Sequence, residues 1–269
     1  MGFWERTWQE RHDEIHRAFG DTFPPKTVVS FSWKDRIRCP GGCALQLPPI
    51  EASRDPLRHR RDDWLYLTMG LSQSLDEKQV ETERAAGKSY SSFGFEFAFV
   101  TPNECTWATQ ALYYFITYLT DGERIKWGDR FPFGFHRRAT GELAVYTGDG
   151  ESAGLTPIGE MRAVLFWPYL FPDSTLVTSA GKFMVMVATG ITSREWELAK
   201  QTTTAHVLLL LCRAGIVQRT IPERQCLLAS AKWRSEWSQI EKMSPDECMA
   251  EIDAGIGRWH LSKPVEADQ

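Results

Sequence analysis

Ser92-Phe93-Gly94-Phe95-Glu96-Phe97-Ala98-Phe99-Val100 places four phenylalanines at a period of two, with Gly94, Glu96 and Ala98 between them. Side chains two apart in an extended segment share a face, so the rings line one side of a strand and need a core to lie against. On this reading the strand is half-buried, apolar on one face. A second extended run, Trp64-Leu65-Tyr66-Leu67-Thr68-Met69-Gly70-Leu71-Ser72, precedes it. Residues 73–92 between the two, rich in Gln, Ser, Glu and Lys, read as a polar loop longer than an ordinary hairpin turn.

Working outward, residues 3–19 carry Trp4, Trp8, Ile15 and Phe19 at helical spacing, with Gly20 as a stop. Pro24-Pro25 ends that element, and Thr27–Ser32 reads as a strand. On the other side, Asn103 is a natural N-cap for a helix running to about Thr120. Trp107, Ala111, Leu112, Phe115, Ile116 and Leu119 cover so much of its circumference that it must be buried. Strands follow at Phe131–Phe135, Glu142–Thr147, Arg162–Trp167, Ser174–Thr178 and Lys182–Ile191. Thr192-Ser193-Arg194-Glu195 is a capping-box pattern that opens a helix to about Gln201, and Ala205–Arg213 is a further apolar helix or strand. Residues 222–269 read as helical, with Pro222 opening one helix and Ser244-Pro245-Asp246-Glu247 capping another. Trp233 and Trp237, one turn apart, dock this tail. The pattern is α+β, with a mostly antiparallel sheet and a buried long helix.

The 269 residues are 42% hydrophobic and 12% aromatic, enough for a sizeable core, and include eleven tryptophans. Thirty-one basic against thirty-five acidic residues give a formal charge of −4, which offers no electrostatic footprint for nucleic acid or anionic lipid. The first residues lack a signal-peptide pattern, and the aliphatic run Val207–Leu211 is too short to cross a bilayer. Six scattered cysteines do not form a disulfide framework. The expectation is a soluble, cytoplasmic protein with no nucleic-acid or membrane partner.

Residue types that carry chemistry are present without the spacing that chemistry needs. His12 and His16 lie one helical turn apart but outside any zinc-protease motif, and read as partly buried or surface imidazoles. Cys39-Pro40-Gly41-Gly42-Cys43 has three intervening residues and no second pair, so it reads as a glycine-rich turn. Residues 51–63 mix four arginines with four acids and read as a solvated loop. No phosphate loop, nucleophile elbow or H-E-x-x-H occurs, and Gly148-Asp149-Gly150 lacks the strand–helix context of a nucleotide site. No cofactor and no metal site is expected. Glu96 and Asp129 are carboxylates near aromatics. They keep an enzymatic alternative open, provided they converge with one of the histidines in one pocket. A homo-oligomeric structural protein that uses surplus tryptophan at an interface is the other alternative.

Leu67-Thr68-Met69-Gly70-Leu71-Ser72 resembles the "(T/S)-x-G-L-S" strand of the suppressor of fused family, and Ser91–Glu96 resembles its "S-G-(F/Y)-G-F-E-L" strand. Trp107 stands where the family has "P-x-W" at the start of a long helix. Thr117-Tyr118 matches the turn ending that helix, and Gly128-Asp129 a later Gly-Asp. Ala180–Thr192 resembles the family's "G-x-(V/F)-x-F-L-Q-(I/V)-V-G-(V/I)-T" strand, followed by Glu195. Two positions depart: Ser92 replaces a glycine, and Pro168-Tyr169-Leu170 stands where the family has Glu-Asp-Pro.

The resemblance implies an α+β domain over residues 1–220 with a helical extension at 221–269, and no catalytic activity. Animal members bind a short peptide of a Hedgehog-pathway transcription factor, and bacterial relatives lie beside polymorphic toxins and are read as immunity proteins. It therefore implies a protein or peptide partner, and by the bacterial relatives a toxin domain. Tyr118 and Asp129 match the animal peptide contacts and are the candidate partner-binding residues. A phenol and a carboxylate suit a peptide's polar groups.

Overall fold

Phe97 and Phe99 have no exposed surface, and neither has Ala98 between them. The computed structural model describes residues 2–19, 37–38, 44–45, 50–53, 64–68, 70–73, 76–103, 105–120, 123–137, 143–147, 157–168, 175–216 and 218–259. The expected strand at Thr27–Ser32, the Cys39–Cys43 turn, most of the 51–63 loop and Gly148–Gly150 lie outside the described residues.

In chain order the elements begin with α1 (Phe3–Phe19), β1 (Ile37–Arg38), β2 (Ala44–Leu45), β3 (Ile50–Ser53), β4 (Trp64–Thr68), α2 (Glu77–Ala85), β5 (Tyr90–Thr101) and α3 (Thr106–Thr120). They continue with β6 (Arg130–Arg137), β7 (Leu143–Thr147), β8 (Met161–Pro168), β9 (Thr175–Thr178) and β10 (Gly181–Thr192). Four helices close the described chain: α4 (Ser193–Gln201), α5 (Thr204–Arg213), α6 (Ala231–Ile240) and α7 (Pro245–Trp259). The fold is α+β. It divides into two compact units, Met1–Ile125 with Pro168–Val187, and Lys126–Trp167 with Ala188–Gln269.

The first unit is built on β5. Strand β4 pairs with it antiparallel, Leu67 opposite Ala98, and β3 pairs with β4. On its other side β10 runs parallel, Met186 opposite Phe97, and β9 pairs with β10 antiparallel. Rings from β5 meet α3 on one face: Phe97 and Phe99 lie 5.3 and 5.8 Å from Phe115, and Trp107 stands edge-on to Phe99 at 5.4 Å. Ala98 and Val100 point the other way, into a cluster with Leu67, Leu176, Phe183, Val185, Val187 and Ile15 of α1. Strand β5 is therefore buried on both faces, not half-buried as its alternation suggests. Each fully buried ring contributes roughly 1.5–3 kcal/mol.

The alternation itself is broken. Lys182 faces Tyr90 but Met184 faces Phe95, so β5 bulges between them. Ser92 (φ 49°) and Gly94 (φ 79°) take up the bulge in left-handed conformations. Phe93 and Phe95 are only partly buried.

Residues 73–92 are not simply a loop. Asp76 caps α2, its carboxylate accepting from the Lys78 N–H at 3.0 Å, and Val80 is the buried residue of that helix. The long helix starts at Thr106, three residues after the expected cap at Asn103. The Cys105 N–H there donates to the Tyr66 hydroxyl at 2.7 Å.

In the second unit β6 lies between β7 and β8, antiparallel to both. The capping box at residues 192–195 opens α4, with the Thr192 N–H donating to Glu195 Oε2 at 2.9 Å. The apolar run after it is helix α5, buried from Thr204 to Cys212. Helices α6 and α7 pack on α5 with Trp233, Trp237, Ile240, Cys248 and Ile252 buried. Arg213 ties the three together, 2.8 Å from Glu236 and 2.7 Å from Glu251. Pro222 does not open a helix. Its carbonyl accepts from the Glu160 N–H, and α6 begins only after a single 3-10 turn at Leu227–Ala229. Ser244 and Glu247 do form the predicted reciprocal cap of α7.

Candidate functional site

Glu96 is a structural group. Its carboxylate has no exposed surface and accepts five hydrogen bonds: from Thr68 Oγ1 (2.7 Å), the N–H groups of Gly70, Leu71 and Ser72 (2.9, 3.2 and 3.0 Å), and Ser72 Oγ (2.6 Å). Gly70, at φ 124°, gives the turn after β4 the shape that aims three successive N–H groups at one carboxylate. Thr68 Oγ1 also accepts the Phe97 N–H at 2.8 Å, and Ser91 Oγ donates to the Ser72 carbonyl at 2.8 Å. The residues that carry the resemblance in β4 and β5 are thus two halves of one lock. An acid saturated in this way has no free lone pair for general-base work.

Asp129 belongs to the second unit, at the end of a short loop before β6. Its Oδ2 accepts from the Lys126 N–H at 2.7 Å, while its own N–H donates to the Lys126 carbonyl at 3.1 Å. Gly128, at φ 86°, donates to the Phe166 carbonyl (2.8 Å), and the Phe166 N–H donates to the Asp129 carbonyl (2.9 Å). Thr204 Oγ1 donates to the Gly128 carbonyl at 2.6 Å and lies 3.3 Å from Arg130 Nη1. The Arg130 guanidinium and Lys200 Nζ lie 5.8 and 5.1 Å from the centre of the Trp196 ring. The loop is clamped to β8 and to α5. Asp129 is half-buried, and among the described residues its Oδ1 meets no donor.

Tyr118 belongs to the first unit, in the last turn of α3, half-buried. Its carbonyl accepts from the Glu123 N–H at 3.3 Å. His206 is a satisfied core histidine: Nδ1 lies 2.7 Å from Thr203 Oγ1 and Nε2 lies 2.9 Å from the Met243 carbonyl. The carbonyl cannot donate, so Nε2 carries a proton and donates to it. His12 is half-buried on α1, and nothing is described of the side chains of His16, His59, His136 and His260. Among the described residues no group of three or more His, Cys, Asp or Glu could hold a metal, and no helix is long and apolar enough to cross a membrane.

The suppressor of fused protein family model matches residues 47–225, more than half of the chain. The chain belongs to the suppressor of fused family. Its fold is similar to the Sufu–Fu complex crystal structure, at 17% identity and a TM-score of 0.56, covering 97% of this chain and 99% of that one. It is also similar to Drosophila Suppressor of Fused, at 17% identity and a TM-score of 0.55, covering 94% of this chain and 54% of that one. The chain thus spans about half the length of the Drosophila protein. A putative suppressor of fused homolog from Neisseria gonorrhoeae matches at 15% identity over 82% of this chain and 96% of its own, with a TM-score of 0.47. No curated protein matches the chain. At these identities the likeness is one of fold.

Arg11 was missed by sequence reasoning. This residue of α1 has no exposed surface and donates from Nε to Ser72 Oγ at 2.8 Å and from Nη1 to Gln73. It lies before the region the suppressor of fused family model matches. An arginine on the apolar face of an amphipathic helix, in line with Ile15 and Trp8, was the signal available.

Proposed function

We propose that this suppressor of fused member is a non-enzymatic protein-binding module, and that its partner is a polymorphic toxin domain which it neutralises by direct binding. On this reading residues 1–220 form the binding domain, residues 221–269 a helical extension, and the protein acts as an immunity protein in a bacterial cytoplasm. Tyr118 and Asp129 each contribute a polar contact to the partner. The observation that carries the reading is the Asp129 loop. Its backbone is tied down by five hydrogen bonds while, among the described residues, one carboxylate oxygen meets no donor. A fixed loop with an unspent acceptor binds with little ordering cost. Family membership supports the same reading, and a neighbour of this fold was solved as a Sufu–Fu complex. Against catalysis stands Glu96, whose acceptor capacity is spent inside the fold.

The test is co-expression with toxin domains encoded beside the gene. Growth restored by the wild-type chain at stoichiometric expression, and lost with Asp129→Asn and with Tyr118→Phe, is the expected result. Protection against none of them would overturn the immunity assignment. Protection by trace amounts of the chain would point to turnover and overturn the non-enzymatic reading.

A further inference from the structure

Trp127 is 57% exposed, the highest value among the exposed large hydrophobic side chains described. The chain covers other indoles well: Trp107, Trp233 and Trp237 are 9%, 7% and 6% exposed. Trp4, at 43%, is stacked on Trp8, and Trp196 is flanked by Arg130 and Lys200. Among the described residues the Trp127 side chain makes no ring contact, cation contact or hydrogen bond. Its pedestal is the clamped loop: Lys126 and Asp129 close on each other around it, and Gly128 is bonded through its N–H to β8 and through its carbonyl to Thr204.

A large indole held outward on a rigid loop is convex, so it cannot line a pocket of its own. Its complement is a pocket on another molecule. Two positions along, Asp129 Oδ1 meets no donor among the described residues. The two together call for an apolar cavity, an acceptor for the indole N–H, and a cationic donor at the rim. We propose that Trp127 is the anchor through which this chain engages its protein partner, inserting into an apolar pocket whose rim presents a Lys or Arg to Asp129. This rests on the binding function proposed above and names its central contact. Because the loop is already ordered, the contact loses little entropy on formation.

The test places the photo-cross-linking residue p-benzoylphenylalanine at position 127, and separately at the exposed control position Tyr90, in the full chain expressed in its native cell. The expected result is one cross-linked protein at 127 and none at 90, with the linked peptide adjacent to a Lys or Arg. Binding of that purified partner should fall by about thirtyfold or more with Trp127→Ala, the scale of a central hot spot. Trp127→Phe should recover part of the loss, and the thermal midpoint should be unchanged. A partner retained by the wild-type chain with unchanged affinity for Trp127→Ala would overturn this inference and leave the binding function standing. A cross-link to a second copy of the chain would overturn it too. No partner retained by the wild-type chain would overturn both.

Discussion

Arg11 Nε lies 3.7 Å from Glu96 Oε1, with both side chains at zero exposure. Burial pushes the Arg11 pKa down, opposed by the charges of Glu96 and Glu10. Ser72 sits between the two, its hydroxyl donating to Glu96 while accepting from Arg11. The guanidinium carbon is 5.6 Å from the centre of the Phe183 ring. Helix α1, the turn after β4 and strand β5 thus share one charged joint.

Removing one charge leaves the other buried and uncompensated, which typically costs about 3–5 kcal/mol. Glu96→Ala is therefore expected to destabilise the chain by about that amount, measured by urea unfolding. Arg11→Met in the same background should recover part of the loss, because the stranded cation is gone. A loss below ~1 kcal/mol for Glu96→Ala would refute the role assigned to the joint.

Ser92 holds a left-handed conformation, φ 49°, where the family pattern has glycine. A side chain there costs roughly 1–2 kcal/mol, partly offset by the greater flexibility of glycine when unfolded. Ser92→Gly should raise stability by about 0.5–1 kcal/mol and the thermal midpoint by a few degrees. Scanning calorimetry reads this directly, and a lowered midpoint would show that the bulge is not strained at Ser92.

Strand β9 pairs with β10 on one side, and on the other the N–H groups of Val177 and of Ser179, just past its end, donate to Glu14 (3.1 Å) and Glu10 (2.6 Å) of α1. Val177 is 54% exposed. Two carboxylates thus occupy a strand edge that would otherwise offer free donors beside an apolar side chain. The Glu10→Ala, Glu14→Ala double variant should self-associate as concentration rises, read by light scattering. A double variant with the same mass as wild type at every concentration would show that the edge needs no cover.

Glu195 is fully buried and bonded to Arg224 through both oxygens at 2.6 Å. Burial alone would raise its pKa. The Arg224 charge and hydrogen bonds, with the Thr192 and Leu227 N–H groups, outweigh that and hold it below the usual value. A depressed folded pKa means stability that is present above the unfolded value, about 4.3, and is lost as pH falls through the folded one. Wild type should lose stability on acidification below that point. Glu195→Gln should start less stable at neutral pH and converge on wild type in acid. Parallel profiles would exclude the pair as a source of acid sensitivity.

Strands β4 to β10 and the buried helix were legible because their apolar periodicity is strong, and the caps at 192–195 and 244–247 because their chemistry is local. By contrast, β3 at Ile50–Ser53 overlaps a segment whose mixed charges read as a solvated loop. Helix α2 was hidden: Val80 is its buried residue, so no apolar stripe marks it, although Asp76 ahead of Glu, Lys and Gln was a usable signal. The second buried face of β5 was hidden because Gly94, Glu96 and Ala98 look polar or small, and only the turn at Gly70–Ser72 makes Glu96 a core residue. Arg11 pairs with residues more than sixty positions away, beyond the reach of any local pattern. Asp129 and Tyr118 came from family resemblance, and the exposure of Trp127 has no signature in sequence.

The action proposed for the chain is to hold another protein through the Asp129 loop. The most direct measurement is affinity capture from the native cell, with wild type and Asp129→Asn in parallel and the captured protein then titrated by calorimetry. The substitution keeps an acceptor for the Lys126 N–H and removes the charge. One stoichiometric protein partner is expected, bound more weakly by the variant at an unchanged thermal midpoint. Equal affinity for both chains, or a wild-type chain that captures nothing, would contradict it.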